Sequence, residues 1–312
     1  PLPLRFSLHP GFASVIIYSI LHFEGEAMHI TLESLWDLLL DALKDSAKLL
    51  PFLFLAYLLM EAAEHRISEK MERRLQSMGR LGPLVGAVLG CIPQCGFSAS
   101  ASNLYAAGLI SRGTLLAVFL STSDEAIPLM LGSDRGREMI LPLLLCKVVI
   151  GLAAGMLVDA FLRKRGRKRE LHDLCEHCGC TEDSGIWKPA LWHTVHIFLF
   201  ILALNVALNL AISLLGQERI AALLLSGSVL QPFVAALIGL IPNCAASVML
   251  TQLYLTGTVS FGACLAGLCS GAGIGLAVLL RMNRSLRENS QIVLTLYLVS
   301  AFCGLVLQLL PL

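Results

Sequence analysis

Charge is what this 312-residue chain has least of: 14% of its residues are Asp, Glu, Lys or Arg, while 56% are hydrophobic. A soluble domain carries about 25% charged residues. So little charge cannot cover a fold of this size, and lipid must supply part of its solvent. The net charge of +1 gives no electrostatic footprint for nucleic acid. No Gly-rich phosphate loop of the Walker type is present, so ATP is not the direct driver of any work done. A cleavable signal peptide is not expected: the apolar stretch 12–21 is short and lacks a basic flank and a small-residue cleavage site. Residues 1–33 read as an interfacial segment. The ten cysteines do not form a disulfide framework. Cys146, Cys264, Cys269 and Cys303 sit in apolar runs, where a thiol acts as a small hydrophobe.

What is present is a duplication. Residues 83–121 and 232–270 align without a gap, and 16 of the 39 paired positions are identical. The closest match is Ile92-Pro93-Gln94-Cys95 with Ile241-Pro242-Asn243-Cys244. Six stretches are long and apolar enough to span a bilayer: 38–63, 113–131, 139–162, 192–215, 259–280 and 291–311. Two more, 81–109 and 229–258, are apolar but broken by Pro93 and Pro242, each of which removes a backbone donor. Duplicated apolar units with such breaks are a transporter pattern.

Positive charge sets the topology. Loops 64–80, 163–191 and 281–290 are rich in Lys and Arg and are expected to be cytoplasmic. Corresponding loops of the two copies then face opposite sides. The expected fold is an all-α polytopic membrane protein of two inverted repeats, each of three transmembrane helices plus one re-entrant helical hairpin. Repeat 1 covers 34–162, a cytoplasmic Cys/His-rich linker covers 163–191, and repeat 2 covers 192–312. The hairpin tips would meet near the midplane, with half-helix N-termini beside them.

The candidate site follows from the tips. Cys91, Cys95 and Cys244 offer soft sulfur ligands, and three of them at one meeting point would make a trigonal site. Packing is the competing role for each. Gln94 and Asn243 are matched amides, suited to hold substrate or to cap the following half-helix. Ser98, Asn103 and Ser247 continue the polar faces, although hydroxyls in membrane helices often bond back to their own backbone. Asp124 and Glu125 lie inside a span, where carboxylates are costly and usually functional. They are expected to couple a proton or cation, against the alternative of an acid paired with Lys147. The second copy has a Gly-rich run there. In the linker, His172, Cys175, His177, Cys178 and Cys180 read as a metal-catching loop, against a plain solvated linker.

Around 90–98 and 239–247 the chain resembles the ArsP-like permeases, and most closely the ten-transmembrane heavy-metal exporters whose members carry labels such as arsenic efflux protein or manganese transporter. The resemblance spans nearly all of 34–312. It implies an efflux permease of the prokaryotic inner membrane without an ATPase domain, and points to Cys91, Gln94, Cys95, Ser98 and the run 121–125. The sequence departs from it in lacking a Cys-Ser-Cys arrangement. The expected function is secondary-active, non-enzymatic export of a heavy-metal or metalloid species by alternating access. No covalent cofactor is expected; the partners are the bilayer and a small inorganic ion, with room for a homo-oligomer. The rival readings are a membrane thiol oxidoreductase using Cys91 and Cys95, and an exporter of a small organic anion.

Overall fold

Prolines and glycines stand at several of the helix ends of this chain. A computed structural model describes residues 81–93, 95–123, 125–164, 187–215, 228–283 and 285–310, with scattered positions from Trp36 to Leu58 and Leu224. Gln94, Asp124 and the linker loop with His172, Cys175, His177, Cys178 and Cys180 lie outside the described residues. Every regular element described is helical. In order these are α1 (Gly82–Gly90), α2 (Cys95–Ala106), α3 (Arg112–Ser121), α4 (Ala126–Leu131), α5 (Asp134–Lys164), α6 (Trp187–Leu215), α7 (Gln231–Gly239), α8 (Cys244–Leu255), α9 (Phe261–Ser270), α10 (Ile274–Met282) and α11 (Leu286–Leu309). The bounds of α1, α2 and α3 recur in α7, α8 and α9 at an offset of 149 residues, the separation of Cys95 and Cys244.

The recurrence extends to caps and turns. Ser111 and Ser260 cap α3 and α9 by accepting from the N–H of Thr114 and Ala263. Gly108 and Gly257 follow α2 and α8 at φ 80° and 82°, a left-handed geometry that glycine adopts without a Cβ clash.

Helix direction can be read from close approaches. Gly82 faces Thr114, Gly86 faces Thr114 and Val118, and Gly90 faces Val118 and Ser121. Both numbers rise together, so α1 and α3 run parallel. Since α3 starts beside the start of α1, α2 must carry the chain back between them. In the second copy Gly267 faces Ala235, and Gly239 faces Gly267 and Ser270, which repeats the arrangement. The 9 residues of α1 and the 12 of α2 extend about 14 and 18 Å, well short of a hydrocarbon core of about 30 Å.

Helices α3 and α5 run antiparallel: Gly113 meets Gly155 and Asp159, while Gly151 meets Ala117 and Leu120. Gly262 meets Gly304 and Gln308 in the same way between α9 and α11. A Cβ on Gly113 would collide with the Gly155 carbonyl, and one on Gly304 with the Gly262 carbonyl. Small residues at every fourth position let these backbones touch, a packing mode suited to lipid, where apolar side chains alone gain little by associating.

The copies also pack on each other, α2 against α10 and α8 against α4. A Cβ on Gly275 would lie 2.7 Å from the Ser98 backbone. Helices α3 and α9 are buried from Gly113 to Ser121 and from Gly262 to Ser270. By contrast, α5 exposes Leu141, Leu145, Val149 and Leu157, and α11 exposes Leu294, Leu298 and Phe302. Apolar residues thus face outward around an interior that holds polar groups. Five stretches among the described residues are long and apolar enough to cross a membrane, and the protein is polytopic.

One sequence expectation is revised. The stretches 113–131 and 259–280 are not continuous helices. The first breaks between Ser121 and Ala126, and the second between Ser270 and Ile274. Ser121 and Thr122 turn their hydroxyls back to the carbonyls of Ala117 and Val118, which competes with helix propagation. In the second copy Gly273 takes φ 52°.

Gly304→Leu is expected to destabilise the protein by about 1–3 kcal/mol or more through forced separation of α9 and α11. Thermal melting monitored by size-exclusion chromatography checks this; an unchanged midpoint would refute the close-packing argument.

Candidate substrate site at the helix breaks

Each tip begins where a proline ends a helix. The backbone N–H of Cys91 and of Leu240, one residue past α1 and α7, bonds back to the carbonyls of Val88 and Leu237, both at 3.2 Å. Pro93 and Pro242 then prevent continuation, and new helices start at Cys95 and Cys244. Asn243 caps α8: its Oδ1 accepts from the Ala245 N–H at 3.0 Å.

The two tip cysteines meet. Cys95 Sγ and Cys244 Sγ are 3.0 Å apart, and both residues are buried at 7% exposure. The sulfurs are thiols and too far apart for a bond of about 2.05 Å. A tetrahedral metal with Zn–S bonds of about 2.3 Å would spread two thiolates to about 3.8 Å, so the pair would have to open by about 0.8 Å to bracket such an ion. The structure does not bring Cys91 to this pair as a third ligand. Cys91 is half-buried and donates to the Ala87 carbonyl at 3.4 Å, one turn back on its own helix. No group of three His, Cys, Asp or Glu converges among the described residues.

The hydroxyls below the thiols follow the local pattern. Ser98 and Ser247 donate to the carbonyls of Cys95 and Cys244 at 2.8 and 2.7 Å. Ser102 and Thr251 donate to the carbonyls of Ser98 and Ser247 at 2.9 and 2.7 Å. Ser102 Oγ also lies 2.6 Å from the Gly275 carbonyl, in the other copy. Their donors are therefore occupied, and their oxygens keep acceptor capacity.

Asn103 differs. It is fully buried, and its Oδ1 accepts from the Tyr57 hydroxyl at 3.3 Å. Among the described residues its Nδ2 has no hydrogen-bond partner. A buried donor left unpaired costs about 1–3 kcal/mol. Tyr57 is also fully buried, and its hydroxyl lies 3.9 Å from Met282 Sδ. Sequence reasoning did not select Tyr57, because one tyrosine in an apolar run carries no periodic signal.

The second set of breaks holds the charged groups. Glu125 lies at the N-cap of α4 and is partly buried. Lys147, on α5, is completely buried. Its Nζ donates to the Thr122 carbonyl, and to the Leu268 carbonyl at 2.7 Å. It therefore joins the break of one copy to the last turn of α9 in the other. Sequence reasoning considered Lys147 only as a partner for an acid.

The copies differ most at their ends. Asp159 Oδ2 accepts from Ser111 Oγ at 2.6 Å and Oδ1 from the Gly113 N–H at 2.8 Å, so an acid holds the start of α3. The matching Gln308 pairs with Ser260 at 3.3 Å at the start of α9. Asp159 carried no signal in the sequence, where it looks like the polar end of a span. At one end Arg112 forms an ion pair with Glu288 at 3.6 Å, and Tyr105 donates to Glu288 at 3.2 Å. Arg112 also donates to Gln291 at 2.9 Å. The counterparts of Arg112 and Glu288 at the other end are Phe261 and Met139. There a cavity of about 560 Å³ opens between Arg135, Glu138, Met139, Tyr254 and Phe261. Arg135 lies over the Tyr254 ring, 5.2 Å from its centroid.

A lipid-facing exterior, broken helices and polar groups gathered at the breaks define a polytopic helical membrane protein of the transport type. The family model described as "Putative, 10TM heavy-metal exporter" matches residues 31–219 and 202–310. The chain belongs to that ten-transmembrane heavy-metal exporter family. No curated protein and no solved structure matches it.

Diamide, which accepts two hydrogens from a pair of thiols, should join Cys95 to Cys244. The expected result is a disulfide-linked Cys95–Cys244 peptide pair by mass spectrometry, absent from Cys244→Ser. Failure to find that pair would show that the sulfurs do not meet.

Proposed function

We propose that this protein is a secondary-active efflux permease of the prokaryotic inner membrane that exports a heavy-metal or metalloid species by alternating access. The observation that carries this reading is the pairing of Cys95 with Cys244: two equivalent soft ligands from two copies of one unit, buried where two broken helices meet. Helix breaks within a membrane must be buried in protein or line a wet cavity, and in transporters they form the substrate site. The charge bias of loops 64–80, 163–191 and 281–290 supports cytoplasmic placement and an inverted relation of the repeats. The short lengths of α1 and α2, and the parallel course of α1 and α3, support a re-entrant hairpin at each tip.

In this reading substrate sits between the tips, contacted by Cys95 and Cys244, with Gln94 and Asn243 beside them. Ser98 and Ser247 supply acceptor oxygens, and Cys91 lines the approach. Asn103, with its unpartnered amide donor, favours a species that presents an oxygen acceptor. Asp124 and Glu125 couple a proton or cation to export, and the 172–180 loop gathers metal in the cytoplasm. The cytoplasmic end is closed by Arg112, Glu288 and Tyr105, while the equivalent external end is open. Such asymmetry between equivalent ends is what one state of an alternating-access cycle requires.

Cells expressing the protein should hold less of at least one of manganese, zinc, copper or arsenic than cells expressing the Cys95→Ser, Asp124→Asn variant, measured by elemental analysis. Equal contents for all four would defeat the exporter reading.

If the Arg112–Glu288 pair closes the inner end, Arg112→Glu and Glu288→Arg should each slow export several-fold, and the double exchange should recover at least half of the rate. Additive losses in the double variant would argue against a gate.

A further inference from the structure

Lys147 is fully buried, and two of its partners are backbone carbonyls. The backbone carbonyls that Lys147 touches belong to the C-terminal ends of two broken helices. Thr122 is the C-cap of α3, and Leu268 lies in the last turn of α9. Helix ends leave their last carbonyls without partners. Three nearby N–H groups among the described residues bond to other carbonyls: Ala126 to Ser123, Gly271 to Gly267 and Ala272 to Ser270. Both helix dipoles also place negative potential at these ends. Carbonyl oxygens from two helix C-termini, brought together in a dry interior, are the materials of a monovalent cation site. Unwound carbonyls and half-helix C-termini hold such ions in transporters.

The site is asymmetric. The residue that matches Lys147 in the second copy is Leu296, which is also fully buried. A shorter apolar side chain stands in the matching position, so the second copy is built without a charge there.

We infer that the carbonyls of Thr122 and Leu268 form part of a monovalent-cation site between the two copies, and that the Lys147 ammonium occupies it as a tethered ion. The ligand class is a small monovalent cation: potassium, sodium or an alkylammonium. The wild-type protein carries its own ion and needs none from solution. The inference is independent of what the protein exports.

The test is thermal melting of the purified full-length protein in detergent, in potassium, sodium, methylammonium or choline chloride at equal ionic strength. Lys147→Ala opens the site, and its midpoint should rise saturably by about 5 °C in at least one of the three small cations relative to choline. Wild type and Lys147→Met, which fills the space without charge, should show no such difference. An alanine variant indifferent to the cation would overturn the inference, as would an equal shift in wild type or Lys147→Met. If the alanine variant is monodisperse only when prepared in one of the small cations, that supports the site. If it aggregates in all four salts while Lys147→Met folds, the site cannot be filled from solution and the inference fails.

Discussion

Hydrocarbon offers no hydrogen bonds, and this constraint organises the molecule. Among the described residues the helices are interrupted after Gly90, Ser121, Gly239 and Ser270. Each interruption exposes carbonyls and N–H groups that water would satisfy in a soluble protein. The fold brings the interruptions inward and lets one copy help to satisfy the other. Ser102 reaches the Gly275 carbonyl, and Lys147 reaches the Leu268 carbonyl. Close helix contact makes this possible. Where Gly113 meets Gly155 and Gly262 meets Gly304, nothing larger than hydrogen separates the backbones.

The same arrangement separates what the copies share from what they do not. Their caps, their left-handed glycines and the thiols at the tips are common property. The charges are not. Lys147 corresponds to Leu296, Asp159 to Gln308, and the Arg112–Glu288 pair to Phe261 and Met139. Shared residues build a common frame, and the unshared charges distinguish one copy from the other.

Much of this was legible in the sequence. The tips were, because Pro93 and Pro242 recur in register and a proline removes a backbone donor wherever it falls. The meeting of Cys95 and Cys244 followed from their equivalence. The second pair of breaks was not legible. Ser121-Thr122-Ser123 and Gly271-Ala272-Gly273 are compatible with a continuous span, and the hydroxyls that bond back and the left-handed glycine become visible only in the structure. Cys91 illustrates a different failure. Its spacing from Cys95 suggested a common site, but the turn after α1 leaves its thiol bonded to Ala87. Sequence separation does not reveal side-chain direction at a helix end.

A contact between a residue and its own duplicate has a historical consequence. Cys95 and Cys244 occupy the same place in their respective units, and their sulfurs meet. A half-length ancestor that paired with itself would have supplied both thiols from one codon, and every change beside them would have appeared twice. In a single chain the two copies are free to differ, as Lys147 and Leu296 do.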